Sequence, residues 1–339
     1  MSTSTMKAIR QHAFGGPDVL QYEDAPRPEL RSGEVLIRVH AVGLNPPDWY
    51  LRDGYSALPP EWQPKVDFPL ILGTDVSGMV AAVADDVTAF SVGDEVYSMV
   101  RFPTGMMGGS QGYAEYVTAP ASQVAHKPAN LDHAQAAGAP MSLLTAWQFL
   151  VDLGHDEPNA LQADQHQPRP LQGKTVLVNG AAGGVGHFAV QVAKLKGAKV
   201  IAVASGAQAA VLRQLGADEV IDYETITVAN VVHDVDVVMD VIGGAAAKAL
   251  LPVIKPGGAL FLAFPLGFEG AADAAERNIT VSTTQVRSNG AQLAALARLL
   301  DDGSLRTVID SRFPLAEAAR AHARAARGHI QGKIVLDLG

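Results

Sequence analysis

The sequence predicts an α/β protein of two domains, the first built from short strands and the second on a doubly wound parallel sheet. Three observations predict it. The chain has 339 residues, more than one compact core usually holds. From Lys7 to about Thr118, short alternating apolar runs are punctuated by Gly and Pro. From Thr175 onward, β-type and helical segments take turns, the pattern of a parallel sheet with crossover helices.

Taken in order, Glu34 to Val42, Val76 to Val83 and Asp94 to Met99 read as strands of a barrel-like domain. Helical spacing runs from about Ala134 to Val151. Residues 156–172 are rich in Gln, Pro, Asp and His, and read as an exposed connection or insertion. His155 and His166 within and beside it read as solvated. Thr175 to Val178 is a strand, followed by a helix to Gly197. Lys199 to Ser205 is a strand, then Ala207 to Gly216 a helix. Glu219 to Tyr223 and Val235 to Gly243 read as strands, Ala246 to Ile254 as a helix, and Ala259 to Phe264 as a strand. Leu293 to Leu300 is a helix. The final strand, Gly332 to Leu338, is expected to return to the first domain. The boundaries expected are 1–140 with 310–339 for the first domain and 141–309 for the second.

Composition narrows the function. Hydrophobic residues make up 48% and charged residues 18%, enough for a sizeable core. The formal net charge of -9, without any Lys/Arg cluster, argues against a nucleic-acid partner. There is no cysteine, so neither a disulfide nor a thiolate metal site can form. The polar N-terminus and the lack of a long apolar run predict a cytoplasmic chain with no membrane partner.

The strongest motif is Asn179 to Gly186, NGAAGGVG, directly after a strand and opening a helix. A dinucleotide pyrophosphate needs this context: glycine lets the backbone approach, and the helix N-terminus offers free N–H groups. In the frame of a GxGxxG fingerprint the positions are Ala181, Gly183 and Gly186, with Ala at the first. The second strand ends at Ser205, where NAD-selective folds place a carboxylate. Its absence predicts NADP(H), although the nearest cation, Arg213, is a helical segment away.

Further segments carry a family pattern: AVGLNPPDWYLRDG (Ala41 to Gly54), LGTDVSGMV (Leu72 to Val80), VGDEVY (Val92 to Tyr97), GYAEYV (Gly112 to Val117), MSLLTAW (Met141 to Trp147), LGADEVIDY (Leu215 to Tyr223) and GHIQGKIVLDL (Gly328 to Leu338). With these the chain resembles, along nearly its whole length, the zinc-independent quinone oxidoreductase and zeta-crystallin branch of the medium-chain dehydrogenase/reductase superfamily. The resemblance implies a GroES-like β-barrel-type catalytic domain, a Rossmann domain, an active cleft between them and a homodimer.

It also implies the site residues. Zinc-dependent relatives place a Cys where this chain has Asn45 and a His where it has Thr74, and Asn and Thr are poor zinc ligands. No metal is expected. By position, Asn45, Tyr50 and Tyr55 face the nicotinamide or the acceptor. Tyr55 directly follows Gly54, whereas the family's second Tyr stands one place later. Tyr50 also reads as an ordinary packing aromatic. Asp48 and Asp75 read more readily as structural than as chemical groups. Gly184 and Val185 are expected at the pyrophosphate and Tyr223 at the adenosine. Ile242, Leu262 and Phe264 are expected at the nicotinamide half, with Thr145 and Lys333 as further cofactor candidates. The loop Arg101 to Gln111 reads as an apolar flap over the acceptor or as an idle surface loop.

Without a metal, a conjugated acceptor is the suitable substrate, because its carbonyl already accepts hydride. The function expected is hydride transfer from NADPH to a quinone or activated enone. Two alternatives stand beside it: reduction of the carbon–carbon bond of a 2-alkenal or enoyl substrate, and a cofactor-binding structural or regulatory protein with little turnover.

Overall fold

The computed structural model describes residues 4–339 apart from 105–109, 160, 161 and 163. The chain forms two compact units. The first comprises Met1–Leu144, Arg287–Gly303 and Thr307–Gly339; the second comprises Thr145–Val286 and Ser304–Arg306.

In the first unit the strand Glu34–Gly43 is central. It pairs antiparallel with Asp75–Val83, with Tyr116–Pro120 and with the C-terminal strand Lys333–Asp337. The sheet continues outward through Ile309–Pro314 on one side and through Glu95–Met99 and Val124–His126 on the other. Thr5–Arg10 and Gln21–Pro26 form a separate two-stranded sheet whose Ile9 joins the same core. Val35, Ile37 and Val39 alternate into the core with Leu72, Val76, Val80 and Val117, as one buried sheet face requires. Register places the site. Val335 stands opposite Gly43, and Gly43 opposite Asp75. The chain segments at Leu44–Asn45, Thr74–Asp75 and Lys333 therefore adjoin.

The second unit holds six parallel strands in the order Glu219–Asp222, Lys199–Ala204, Thr175–Asn179, Val235–Asp240, Ile254–Leu262, Thr280–Ser282. The chain begins in the middle, winds to one edge, then returns and winds to the other. The order reverses between Thr175–Asn179 and Val235–Asp240, the position at which such sheets take a ligand beyond their strand ends. Leu177, Val238 and Leu260 are fully buried in the core.

Some expectations need correction. The helical stretch 134–151 is two helices, His133–Ala137 and Pro140–Leu150, because Gly138 and Pro140 interrupt the ladder. Ala245–Val253 is a 3₁₀ run containing Pro252 and leads straight into the strand Ile254–Leu262. The helix Gly290–Asp301 belongs to the first unit, not the second: Tyr97 Oη donates to Leu293 O at 2.7 Å, and Asn130 bonds Asp301.

The polar segment 156–172 is not a free loop. His166 is 1% exposed, and its ring bonds Phe149 O and Ser282 Oγ, each at 2.8 Å, between the rings of Phe149 and Phe261. Arg169 reaches Gly257 O and Thr280 Oγ1, and Gln162 reaches Val281 O. The segment is a strap across the outer edge strand. Part of it, and the centre of the 101–111 loop, lie outside the described residues.

Candidate functional site

The glycine turn stands at the point of reversal. Strand Thr175–Asn179 ends in it, and helix Gly184–Leu195 begins after Gly183, whose N-cap position has no side-chain cap. The first N–H groups of that helix thus receive no side-chain acceptor at their cap. The glycines differ in purpose. Gly180 has φ +75°, which favours glycine. A Cβ on Gly186 would collide with the Gly180 carbonyl oxygen and lie 2.7 Å from Ala181 Cα, so Gly186 and the buried Ala181 close the turn onto the helix. A Cβ on Gly183 would meet only the Gly180 carbonyl oxygen, at 3.6 Å. Glycine at 183 therefore leaves open space in front of the turn. Gly184 and Val185 share that half-exposed rim.

Asp240, fully buried, ties the turn to its neighbour across the reversal. It accepts Asn179 Nδ2 at 2.9 Å, Ile242 N at 3.0 Å and Gly243 N at 3.2 Å. This holds Ile242 beside Gly180. Ile242 is 59% exposed and Phe264 also lies at the surface, an unusual position for large apolar side chains at strand ends. Leu262 differs from its expectation: it is buried in the sheet core. Thr145 is buried on the helix Pro140–Leu150. Ser205 follows directly on the second strand, and Tyr223, 51% exposed, on the third.

The first unit builds a different kind of site. Helix Pro46–Arg52 starts at Asn45 with prolines in its first turn, and Asp48 Oδ2 accepts the Asn45 N–H at 2.8 Å, as a capping box does. The antiparallel register brings Lys333, 3% exposed, against this start. Its ammonium donates to Leu44 O at 2.7 Å and to Asn45 Oδ1. An ammonium cannot accept, so it fixes the orientation of the Asn45 amide. The amide nitrogen then donates to Gly43 O and to Thr74 Oγ1, each at 3.3 Å. Asp75 accepts Met141 N. This donor set does not fit zinc: a buried cation already holds Asn45, and a hydroxyl stands at 74.

A second chain of hydrogen bonds meets the first at Asp48. Arg52 Nη1 lies 3.0 Å from His322 Nδ1, His322 Nε2 3.0 Å from Tyr113 Oη, and Tyr113 Oη 3.3 Å from Asp48 Oδ2. Arginine can only donate, so His322 carries its proton on Nε2 and the chain has one direction, from Arg52 to Asp48. Burial, with the Arg52 charge beside it, pushes the His322 pKa down to about 3 and keeps the ring neutral. Burial also raises Asp48 to about 7 and Asp75 to about 6, against the pull of Lys333 and their hydrogen bonds.

Tyr50 and Tyr55 stand on this platform, rings 5.8 Å apart. Tyr55 has φ +53°, and its buried hydroxyl has no hydrogen-bond partner among the described residues. Burial raises the pKa of both phenols, so both are hydrogen-bond donors rather than bases. The structure thus brings Asn45, Tyr50, Tyr55 and Lys333 together in the first unit. It gathers the turn, Ser205, Tyr223, Ile242 and Phe264 along the strand ends of the second. Sequence reasoning missed His322, Tyr113, Arg52 and Asp240. Arg52 and His322 are 270 residues apart, and no local spacing signals such a pair. Asp240 offered a weak signal, an acid directly after the apolar run Val237–Met239.

Residues 31–129 match the alcohol dehydrogenase GroES-like domain family, and residues 215–336 match a family described as zinc-binding dehydrogenase. The chain is 35% identical to the mitochondrial NAD(P)H oxidoreductase RTN4IP1 of Mus musculus, over 90% of this chain and 82% of that protein. It is 34% identical to the chloroplastic quinone-oxidoreductase QR1 of Triphysaria versicolor, over 99% of this chain and all of the relative. Among solved structures, the quinone oxidoreductase from Coxiella burnetii superposes with a TM-score of 0.84 at 33% identity, covering 99% of this chain and 100% of that one. A structure described as an NAD-dependent alcohol dehydrogenase superposes at 0.83 and 31% identity, covering 98% and 100%.

Proposed function

Because the chain belongs to the quinone oxidoreductase branch of the medium-chain dehydrogenase/reductase superfamily, we propose that it is a metal-free NAD(P)H-dependent reductase of quinones or activated enones. The observation that carries this reading is the open face at Gly183 on the glycine turn, at the reversal of the parallel sheet. Gly183, Gly184 and Val185 would hold the pyrophosphate, Tyr223 the adenosine, and Ile242 with Phe264 the nicotinamide half. When bound, the reduced nicotinamide supplies a hydride, two electrons with one proton, and is itself oxidised. The acceptor gains that hydride, and one of its oxygens carries negative charge until a proton arrives from water. Tyr55, whose buried hydroxyl has no partner among the described residues, is the donor suited to that oxygen. Lys333 and Asn45 keep the mounting of the tyrosines rigid and leave no place for a metal.

Ser205, taken alone, favours the phosphorylated cofactor, since it brings no carboxylate. The test is oxidation of reduced cofactor with a simple benzoquinone and with a 2-alkenal, before and after exhaustive chelation. Turnover with the quinone, unchanged by chelation, is the expected result. Turnover of the alkenal alone would move the assignment to carbon–carbon reduction. Bound cofactor without turnover of either would mark a binding protein, and activity restored only by zinc would end the metal-free reading.

A further inference from the structure

The sequence has no carboxylate at the end of the second strand, but the structure brings one there from the strand beside it. Asp222 ends the strand Glu219–Asp222 and stands opposite Ala204 in the parallel register. Tyr223 N donates to Ala204 O at 3.2 Å, which fixes the two strand ends side by side. The Asp222 side chain turns across toward the residue after Ser205: its Oδ2 lies 2.6 Å from where a Cβ on Gly206 would stand. Its other oxygen accepts Glu224 N at 3.1 Å.

Gly206 confirms the placement from the other side. Its backbone is not in the left-handed region that favours glycine, so the turn itself does not demand it. What a side chain at 206 would meet is the carboxylate lying against it, and Asp222 would have to turn aside. The position Ser205–Gly206 is where a doubly wound sheet meets the 2′ position of the adenosine ribose.

The cations of this sheet are placed elsewhere. Lys199 pairs with Glu219, Lys194 with Asp218, and Lys174 and Lys255 with Asp236, all toward the amino-terminal ends of the strands. Arg213 sits in the last turn of the helix Ala209–Gln214, exposed to solvent. Beside Ser205 stand Asp222 and the exposed Glu224.

We infer that Asp222 is the residue that selects between the two nicotinamide dinucleotides, and that it selects against the 2′-phosphate. It supplies from the third strand the carboxylate that the second strand lacks, accepting the ribose hydroxyl and repelling a phosphate in its place. NADH then binds at least as tightly as NADPH, the reverse of what Ser205 predicts alone. The inference rests on the dinucleotide reading of the glycine turn.

Equilibrium binding tests it without turnover. Quenching of tryptophan fluorescence by NADH and NADPH gives the two dissociation constants, and competition by 5′-AMP and 2′,5′-ADP isolates the adenosine end. The wild type should bind NADH and 5′-AMP at least as tightly as their phosphorylated counterparts. Asp222→Asn keeps the shape and removes the charge; it should tighten NADPH about tenfold and leave NADH little changed. In the wild type the discrimination should also shrink as salt rises, since screening weakens a charge repulsion; this arm needs no substitution. A wild type that prefers NADPH, a ratio unmoved by Asp222→Asn, or discrimination indifferent to salt would each overturn the inference. Binding of neither dinucleotide would overturn the reading of the turn, and this with it. Normal binding of both with the wrong ratio would overturn the inference about Asp222 alone.

Discussion

The two units handle buried polarity in opposite ways. In the first, Lys333, Asn45, Thr74, Asp75, Asp48, Tyr113, His322 and Arg52 are all buried, and they largely satisfy one another. In the second, the rim of the glycine turn from Gly180 to Val185 carries only backbone polar groups, while the side chains of Asn179 and Asp240 are turned to each other. A protein that must hold its own side chains still spends hydrogen bonds inward. One that must hold a ligand leaves backbone donors facing outward, and glycine keeps the space in front of them. The mounting for the tyrosines and the proposed seat for the cofactor are thus built from different materials.

Gly186→Val should break that contrast most severely. Its side chain would be driven into the Gly180 carbonyl and Ala181, and no flexible side chain is there to give way. The expected outcome is loss of the folded second unit, read as insoluble protein or a missing thermal transition. Recovery of stable protein would show that the turn can open. Gly183→Val sharpens the same contrast. Its backbone is extended and its surroundings are open, so the melting temperature should stay within a few degrees. Dinucleotide affinity should fall at least a hundredfold. Unchanged affinity would place the pyrophosphate elsewhere.

The first unit should respond through stability instead. His322→Leu removes an acceptor from the buried Arg52 and a donor from Tyr113, and should cost about 3 kcal/mol by denaturant unfolding. A cost under ~1 kcal/mol would mean the chain relaxes without it.

The smallest effect is one of pH. Asp48, raised to about 7, holds more protons folded than unfolded, so its contribution to stability falls as pH rises from about 4 to 7. His322, lowered to about 3, is neutral when folded and protonated when unfolded. Its contribution therefore rises with pH from about 3 to 6.5. The two oppose each other in the wild type. Asp48→Asn should steepen the rise of stability over this window, and His322→Gln should flatten or reverse it. Parallel profiles for both variants would remove this account of the network.

The alternation of strand and helix in the second unit was legible because a parallel strand is apolar throughout and its helix is not. The glycine turn was legible because every residue it needs lies within eight positions. Asp222 was visible as a residue but not as a neighbour of Gly206, since only the strand register places it there. The ordinary backbone of Gly206 sets no turn requirement, and the carboxylate against it appears only in the fold. His166 misled for a related reason: Gln, Pro and His in sequence look like solvent-facing chain, yet one buried imidazole suffices to pin it.

That pinned segment has a consequence for anyone who would shorten the protein. The strand Thr280–Ser282 is the last of its sheet, and Gln162, His166 and Arg169 occupy its Val281 carbonyl and the hydroxyls of Ser282 and Thr280. Trimming residues 156–172 as surplus would bare that edge and the ring of Phe261 behind it. An unpaired edge beside an uncovered aromatic ring recruits strands from other molecules. The shortened chain would keep its glycine turn and lose its resistance to aggregation.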